Sequence, residues 1–133
     1  KTYQQLILDD CRALADGLLR RGFTLFSGGT DNHLILVDLR NKDITGRDCE
    51  HVLDSANITC NKNAIPNDPT PPNTTSGIRL GTAAVATRGM QPSDMDKIAA
   101  AIDAMVTAPE KNRPAVLASV RELTERYPLY PGL

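Results

Sequence analysis

The chain has 133 residues and a formal net charge of −1 at pH 7, with 41% hydrophobic and 23% charged residues. This composition is typical of one globular domain covering residues 1–133. The small net charge gives no electrostatic reason to expect nucleic acid or an anionic membrane surface as a partner. Since no apolar run approaches the roughly 18 residues of a membrane span, no membrane segment is predicted either.

The N-terminal third predicts a helix followed by two strands. Residues 3–21 carry apolar side chains at helical spacing, and Gly22 is well placed to end that helix. Residues 23–26 predict a short strand, residues 27–32 a turn and residues 34–37 a buried strand. The apolar stripe of the helix consists of Leu6, Ile7, Cys11, Leu14, Leu18 and Leu19.

The middle of the chain predicts one helix and one long loop. Thr45 and Asp48 have the spacing of a capping box, and Cys49, Val52, Leu53 and Ala56 would form the buried stripe of the helix that follows. Residues 57–59 are a further strand candidate. Residues 61–75 contain four prolines and four asparagines, so we expect an ordered loop or a linker there.

The C-terminal half predicts a strand over residues 78–80 and two helices. The first helix has Pro92 in its first turn and ends near Val106, and the second ends before Pro128. Helices alternating with short strands predict an α/β fold, a two-layer sandwich with a small sheet. The stripes are Met95, Ile98, Ala99, Ile102, Met105 and Val106 in the first helix, and Val116, Leu117, Val120 and Leu123 in the second.

The three cysteines, Cys11, Cys49 and Cys60, have no metal-type spacing, so no metal site is predicted. Cys11 and Cys49 fall on predicted helices beside apolar residues, where cysteine packs as a small hydrophobic side chain. Free thiols indicate a reducing cytoplasm. A catalytic thiol would need a neighbouring base, which the sequence does not place.

Arg79 is the most informative residue, because it sits in a short apolar segment flanked by Gly77 and Gly81. A guanidinium is a planar fork of donors that stays charged, which suits bidentate binding of a carboxylate. The alternative is that Arg79 pairs with a carboxylate of its own chain, such as Asp68.

Three segments of the chain form a pattern when they are taken together. They are Gly-Gly-Thr-Asp-Asn-His-Leu at residues 28–34, Asn-Lys-Asn-Ala-Ile-Pro-Asn-Asp-Pro at residues 61–69, and Ser-Gly-Ile-Arg-Leu-Gly-Thr at residues 76–82. They resemble the C-terminal domain of serine hydroxymethyltransferase, in that family's order and at about its spacing, and the resemblance extends over essentially the whole chain, to the closing Tyr-Pro-Leu-Tyr of residues 127–130. It implies an α+β fold in which a small, mostly antiparallel sheet packs with helices, as in the C-terminal small domain of fold-type I pyridoxal-phosphate enzymes.

The resemblance implies a pyridoxal-phosphate enzyme that interconverts serine and glycine and transfers a one-carbon unit to tetrahydrofolate. The protein then supplies orientation and electrostatics to the cofactor's chemistry. By the family pattern, Arg79 binds the carboxylate of the amino-acid substrate, and Asn63 contacts the folate. For Asn63 the alternative is a loop asparagine that holds its own backbone.

No catalytic or cofactor-binding residue is assigned to this chain. The family's cofactor lysine follows a histidine in a Thr-His-Lys motif, whereas His33 and His51 are followed by Leu34 and Val52. Lys62 is interpreted as a loop charge. His33 is interpreted as a residue that fixes its own turn through Asp31 or Thr30, and Arg88 is given no chemistry.

The resemblance therefore implies that the cofactor lysine, the phosphate site and the acid/base glutamate belong to a larger preceding domain. We expect the isolated chain to be inactive, and the full enzyme to be a cytoplasmic homodimer or higher oligomer. Ala83 and Ala86 depart from the usual proline and hydroxyl residue of the family, which leaves a divergent paralogue open.

Three interpretations of the chain remain open. It is a piece of the enzyme, which the start without methionine favours; a non-catalytic module that binds amino acid or folate; or a structural partner of a separately encoded large domain. The oligomeric state of the isolated chain is not predicted.

Overall fold

A computed structural model of the chain describes residues 3–26, 34–81 and 89–127. The helices are α1 (Tyr3–Arg20), α2 (Gly46–Asp54), α3 (Met95–Thr107) and α4 (Pro109–Arg126), and the strands are β1 (Thr24–Phe26), β2 (Leu34–Asp38), β3 (Asn61–Asn63) and β4 (Gly77–Gly81). Short 3-10 turns occupy Arg40–Lys42 and Pro92–Asp94.

The four strands form one antiparallel sheet in the order β1-β2-β4-β3. The chain therefore enters the sheet as a β1-β2 pair, and β4 later inserts between β2 and β3. A mixed α/β sandwich with a small antiparallel sheet is the fold predicted from the sequence, and that prediction is confirmed.

The core lies between the helices and one face of the sheet. Ile35 and Val37 of β2 and Ile78 and Leu80 of β4 point into it, each at most 5% exposed. Because successive side chains of a strand alternate between faces, the residues between these four lie on the opposite face. The helices contribute Cys11, Leu14, Leu18, Cys49, Leu53, Met95, Ile102 and Met105 to the same core.

The ends of α1 and α2 follow the predicted local chemistry. Gly22, at φ 85°, donates to Leu19 O, and Phe23 donates to Leu18 O, which together satisfy two terminal carbonyls of α1. Thr45 is the N-cap of α2, and its Oγ1 accepts from Asp48 N at 3.1 Å. This is one half of the expected capping box.

Three expectations about the elements were wrong. Leu19 was placed in the apolar stripe of α1, but it is 49% exposed. The strand expected over residues 57–59 is absent there, and a strand lies instead at Asn61–Asn63, within the segment that was expected to be a loop. Asn57 takes a left-handed φ of 64° and donates its backbone N–H to Asp54 O, so it turns the chain rather than extending it.

Within the residues that the structure describes, none of the helices has the length and apolar character needed to cross a membrane.

Candidate functional site

Arg79 lies in the centre of the sheet face that points away from the core. It pairs with Leu36 of β2 on one side and with Asn61 of β3 on the other, and Leu36 in turn pairs with Phe26 of β1. Directly paired residues share a face, so one row of side chains crosses all four strands with the guanidinium in it. Arg79 and Asn61 are exposed, and Leu36 and Phe26 are half-buried.

The guanidinium of Arg79 makes no ion pair with any carboxylate in the described part of the chain. The alternative that it pairs with Asp68 is therefore wrong. The Asp68 carboxylate accepts from Ile65 N, Ser76 N and Thr70 N within its own loop instead.

Asp38 is a carboxylate on this face, because it pairs with Gly77, two residues before Arg79. It is also engaged: Arg40 donates from Nε to Oδ1 at 3.1 Å and from Nη2 to Oδ2 at 2.7 Å. These bonds hold the pKa of Asp38 below its usual range, against the effect of its burial. Asp38 and Asp68 are thus both satisfied by donors other than Arg79.

Asn63 pairs with Gly77 and so lies on the same face as Arg79. Its Nδ2 donates to Ala64 O at 2.9 Å. This bond is the backbone-holding role considered for Asn63 from the sequence. It uses one amide hydrogen and leaves the amide oxygen and a second hydrogen outside that contact.

Lys62 lies on β3 rather than in a loop, which corrects the sequence interpretation. Its partner across the sheet is Ile78, so it points to the core-side face, away from Arg79. Its backbone N donates to Glu50 Oε2 at 2.9 Å, and its Nζ lies 3.9 Å from Glu50 Oε1. Lys62 therefore fastens β3 to α2.

The other described lysines do not fit a pyridoxal-phosphate site beside Arg79. Lys42 Nζ donates to Arg21 O and lies 4.5 Å from the Phe23 ring centroid, and Lys97 Nζ lies 3.7 Å from Glu122 on the helical layer. Lys111 is on the exposed surface of α4. An imine-forming lysine must approach the substrate that the arginine holds, and none of these amines is on that face.

The three cysteines are buried free thiols, as the sequence predicted for Cys11 and Cys49. Burial raises the pKa of Cys49 and of Cys60 to about 12. A thiol in this state is a poor nucleophile. In the described ranges, no group of three His, Cys, Asp or Glu side chains is placed to hold a metal ion.

The acidic residues Asp94, Asp96 and Asp103 make specific contacts on the helical side of the molecule. Asp94 is 4% exposed and accepts from Gln91 N, and Asp96 pairs with both Arg20 and Arg21. Lys42 lies 4.0 Å from Asp103. These pairs join α1 and the Arg40–Lys42 turn to α3, on the helical side of the molecule.

Sequence reasoning missed three residues that shape the loop between Asn63 and Arg79. Asp68 is the acceptor at its centre, Thr75 has a left-handed φ of 59°, and Gly46 packs against Thr75. The Asp-Pro-Thr run at residues 68–70 is a local signal for the first, because Asp commonly accepts from the backbone two residues on. No local signal marks the other two.

Several residues named from the sequence lie outside the described part of the chain. They are the predicted turn at residues 27–32, and His33, Ala83, Ala86, Arg88 and the residues after Tyr127.

The fold and this face define a small α/β domain whose sheet presents an arginine on its outer side. A family model described as serine hydroxymethyltransferase matches residues 1–102, more than half of the chain. The chain belongs to the serine hydroxymethyltransferase family, and its function is related to that of this transferase. The matched range ends within α3, so the resemblance noted for residues 127–130 lies beyond it.

Proposed function

We propose that the chain is the C-terminal small domain of a serine hydroxymethyltransferase, and that Arg79 binds the carboxylate of serine or glycine. The observation that carries the proposal is the position of Arg79. It is an exposed arginine at the middle of β4, on the sheet face opposite the core, and no described carboxylate pairs with it.

The neighbouring charges favour an external anion as the partner. Asp38 and Asp68 are the carboxylates on the adjoining segments, and each is saturated by donors from its own surroundings. Neither needs Arg79, so a substrate carboxylate would not compete with an internal one. Leu36 is paired with Arg79 across the sheet and lies beside it on this face, so it offers the guanidinium no competing carboxylate.

The contribution of the chain to the reaction is orientation. A bidentate arginine fixes both the position and the plane of a carboxylate, and thereby the direction of the bonds at the α-carbon. The lysines described here do not suit pyridoxal phosphate, so we assign the cofactor and the proton-transferring groups to a larger domain of the enzyme. The isolated chain is then not catalytic.

Asn63 is proposed to contact the folate. It shares the face with Arg79, and its amide oxygen and remaining hydrogen suit a heterocycle that has both donors and acceptors. With the larger domain, the enzyme would interconvert serine and glycine with transfer of a one-carbon unit to tetrahydrofolate. A homodimeric or larger assembly in the cytoplasm is part of this proposal, and the buried free thiols agree with a reducing compartment.

The test is the pair of variants Arg79→Lys and Arg79→Ala in the enzyme that contains both domains. We expect the kcat/KM for serine to fall about a hundredfold or more in both, because lysine keeps the charge but loses the fork. Arg121→Ala is the matched control, since Arg121 is exposed on α4 in the helical layer. A kcat/KM within about twofold of the parent enzyme in Arg79→Ala would refute the role of Arg79.

The isolated 133-residue chain provides a second test. Mixed with pyridoxal phosphate, it should show no absorbance band of a cofactor imine and no cleavage of serine. Stoichiometric imine formation would contradict the assignment of the cofactor to another domain. Calorimetric titration with glycine and a folate distinguishes the alternative, because binding by the chain alone would favour a stand-alone binding module.

A further inference from the structure

The loop from Ala64 to Ser76 separates the two residues proposed to bind ligands, and one carboxylate organises it. Asp68 Oδ2 accepts from Ile65 N at 3.1 Å and from Ser76 N at 2.8 Å. Its Oδ1 accepts from Thr70 N at 2.9 Å, Thr70 Oγ1 at 2.7 Å and Ser76 Oγ at 2.8 Å. Five hydrogen bonds therefore converge on one side chain, and they come from both ends of the loop.

This arrangement requires an ionised carboxylate. All five partners donate, and only a charged carboxylate offers two oxygens that both accept. Partial burial alone would raise the pKa of Asp68, but the hydrogen bonds from Thr70, Ser76 and Ile65 outweigh it and hold the pKa well below its usual range. Among the described residues, Asp68 interacts electrostatically with Arg40 and Asp38, which pair with each other.

The loop is also fastened to the rest of the domain at its C-terminal end. The first turn of α2 donates from Gly46 N to Thr75 O at 3.0 Å and from Arg47 N to Thr74 O at 2.9 Å. Ser76 O accepts from Leu39 N at 2.9 Å, just past the end of β2. The bonds of Asp68 thus connect the start of the loop to an end that is already fixed.

The two backbone groups that Asp68 joins lie close in sequence to the residues proposed to bind ligands. Ile65 follows Asn63 by two residues, and Ser76 precedes Arg79 by three. We infer that Asp68 is a positioning residue: its carboxylate ties Ile65 to Ser76 and so sets the placement of Asn63 and Arg79 relative to each other. This inference rests on the proposed function of Arg79.

The test compares Asp68→Asn with the control Asp43→Asn in the two-domain enzyme. Asparagine has nearly the size of aspartate, but its amide NH2 group would face N–H and O–H groups that also donate. Asp43 is exposed and has a left-handed φ of 56°, which asparagine tolerates. We expect Asp68→Asn to raise the KM for serine about tenfold, with kcat changed less, and Asp43→Asn to leave both within about twofold.

Coupling to Arg79 separates a positioning role from general destabilisation. Residues that act through one another give non-additive effects in a double-mutant cycle. The Asp68→Asn change should therefore weaken glycine binding about tenfold in the parent enzyme and less than about twofold in the Arg79→Ala background. Equal losses in both backgrounds would overturn the inference and leave Asp68 as a purely structural residue.

A readout independent of activity is hydrogen exchange of the loop amides in the full enzyme. Asp68→Asn should speed exchange at Ile65, Thr70 and Ser76 at least about tenfold, while the core strand β2 keeps its protection. Unchanged exchange at these amides would also overturn the inference.

A milder variant keeps the test valid where Asp68→Asn does not fold. Ser76→Ala removes only the hydroxyl bond to Oδ1 and keeps the backbone bond to Oδ2. It should shift the KM for serine in the same direction by about threefold, and a KM equal to that of the parent enzyme would count against the inference.

If Arg79→Ala also leaves the KM unchanged, the proposed function itself fails. If only the Asp68 and Ser76 variants do so, the positioning role alone fails.

Discussion

Asn63 lies opposite Gly77 in the pairing of β3 with β4, and it therefore shares a sheet face with Arg79, two residues further along β4. Diagonal neighbours of this kind are roughly 7–8 Å apart. The two residues are proposed to bind different ligands, and this spacing would put both within reach of one bound pair of substrates.

The folate role of Asn63 predicts a selective effect of Asn63→Ala. Loss of one hydrogen bond to the ligand should raise the KM for tetrahydrofolate about fivefold, corresponding to about 1 kcal/mol. Glycine binding measured without folate should not change, because Arg79 is untouched.

The matched control for this change is Asn73→Ala, an exposed asparagine of the same loop. Thermal unfolding of both variants checks for a general loss of stability, since Asn63 also donates to Ala64 O. Equal folate KM values for Asn63→Ala and the parent enzyme would leave the bond to Ala64 as the role of this residue.

The close contact between Gly46 and the loop predicts a specific loss of stability. A Cβ at residue 46 would clash with Thr75 Oγ1 and with Gly77 O, and these two atoms are joined by a hydrogen bond that Thr75 Oγ1 donates to Gly77 O at 3.0 Å. Gly46→Ala should lower the free energy of unfolding by about 1–3 kcal/mol, the usual effect of overpacking.

Urea denaturation of the chain measures this difference. Arg47→Ala is the control, because Arg47 is the next residue of α2 and its side chain is exposed. It should stay within about 0.5 kcal/mol of the parent. A Gly46→Ala variant as stable as Arg47→Ala would mean that the first turn of α2 moves away from the loop at little cost.

Periodicity predicted the helices and the central strands because the information for them is local. Cys11, Leu14 and Leu18 recur at helical spacing and are all buried in α1, and the apolar run at residues 34–37 became β2. The prediction failed at β3, where Asn-Lys-Asn has no strand pattern. That strand is held by pairing to β4 and by the bond from Lys62 N to Glu50, neither of which is visible locally.

The site was predictable only in part, for the same reason. The Gly-Ile-Arg-Leu-Gly segment indicated a strand that carries an arginine, and β4 covers those five residues. The sequence alone could not show whether a carboxylate of the chain is available to pair with Arg79. Asp68 was the candidate, but its carboxylate accepts hydrogen bonds from Ile65 and Ser76, which lie at opposite ends of the loop. Convergence of this kind follows from tertiary structure and cannot be inferred from spacing.

The buried thiols predict slow chemical labelling that speeds up only with unfolding. The thiolate is the reactive form, and burial raises the pKa of Cys49 and Cys60 to about 12 from a usual value of 9.0. Near pH 8 the folded chain should react with iodoacetamide far more slowly than the same chain in urea, where mass spectrometry should find all three cysteines modified. Asn73→Cys, at an exposed position, supplies the positive control.

The same shift sets the sign of a pH effect on stability. A thiol whose pKa is higher in the folded state ionises first in the unfolded state. Raising the pH above the unfolded-state pKa therefore favours unfolding. The free energy of unfolding should therefore be constant below pH 9 as far as these groups are concerned, and it should fall between pH 9 and about 12. In Cys49→Ala the fall should be shallower, because one of the thiols with a raised pKa is gone. Rapid labelling of Cys49 or Cys60 in the folded chain at pH 8 would contradict the raised pKa and would reopen the question of a reactive thiol near β3.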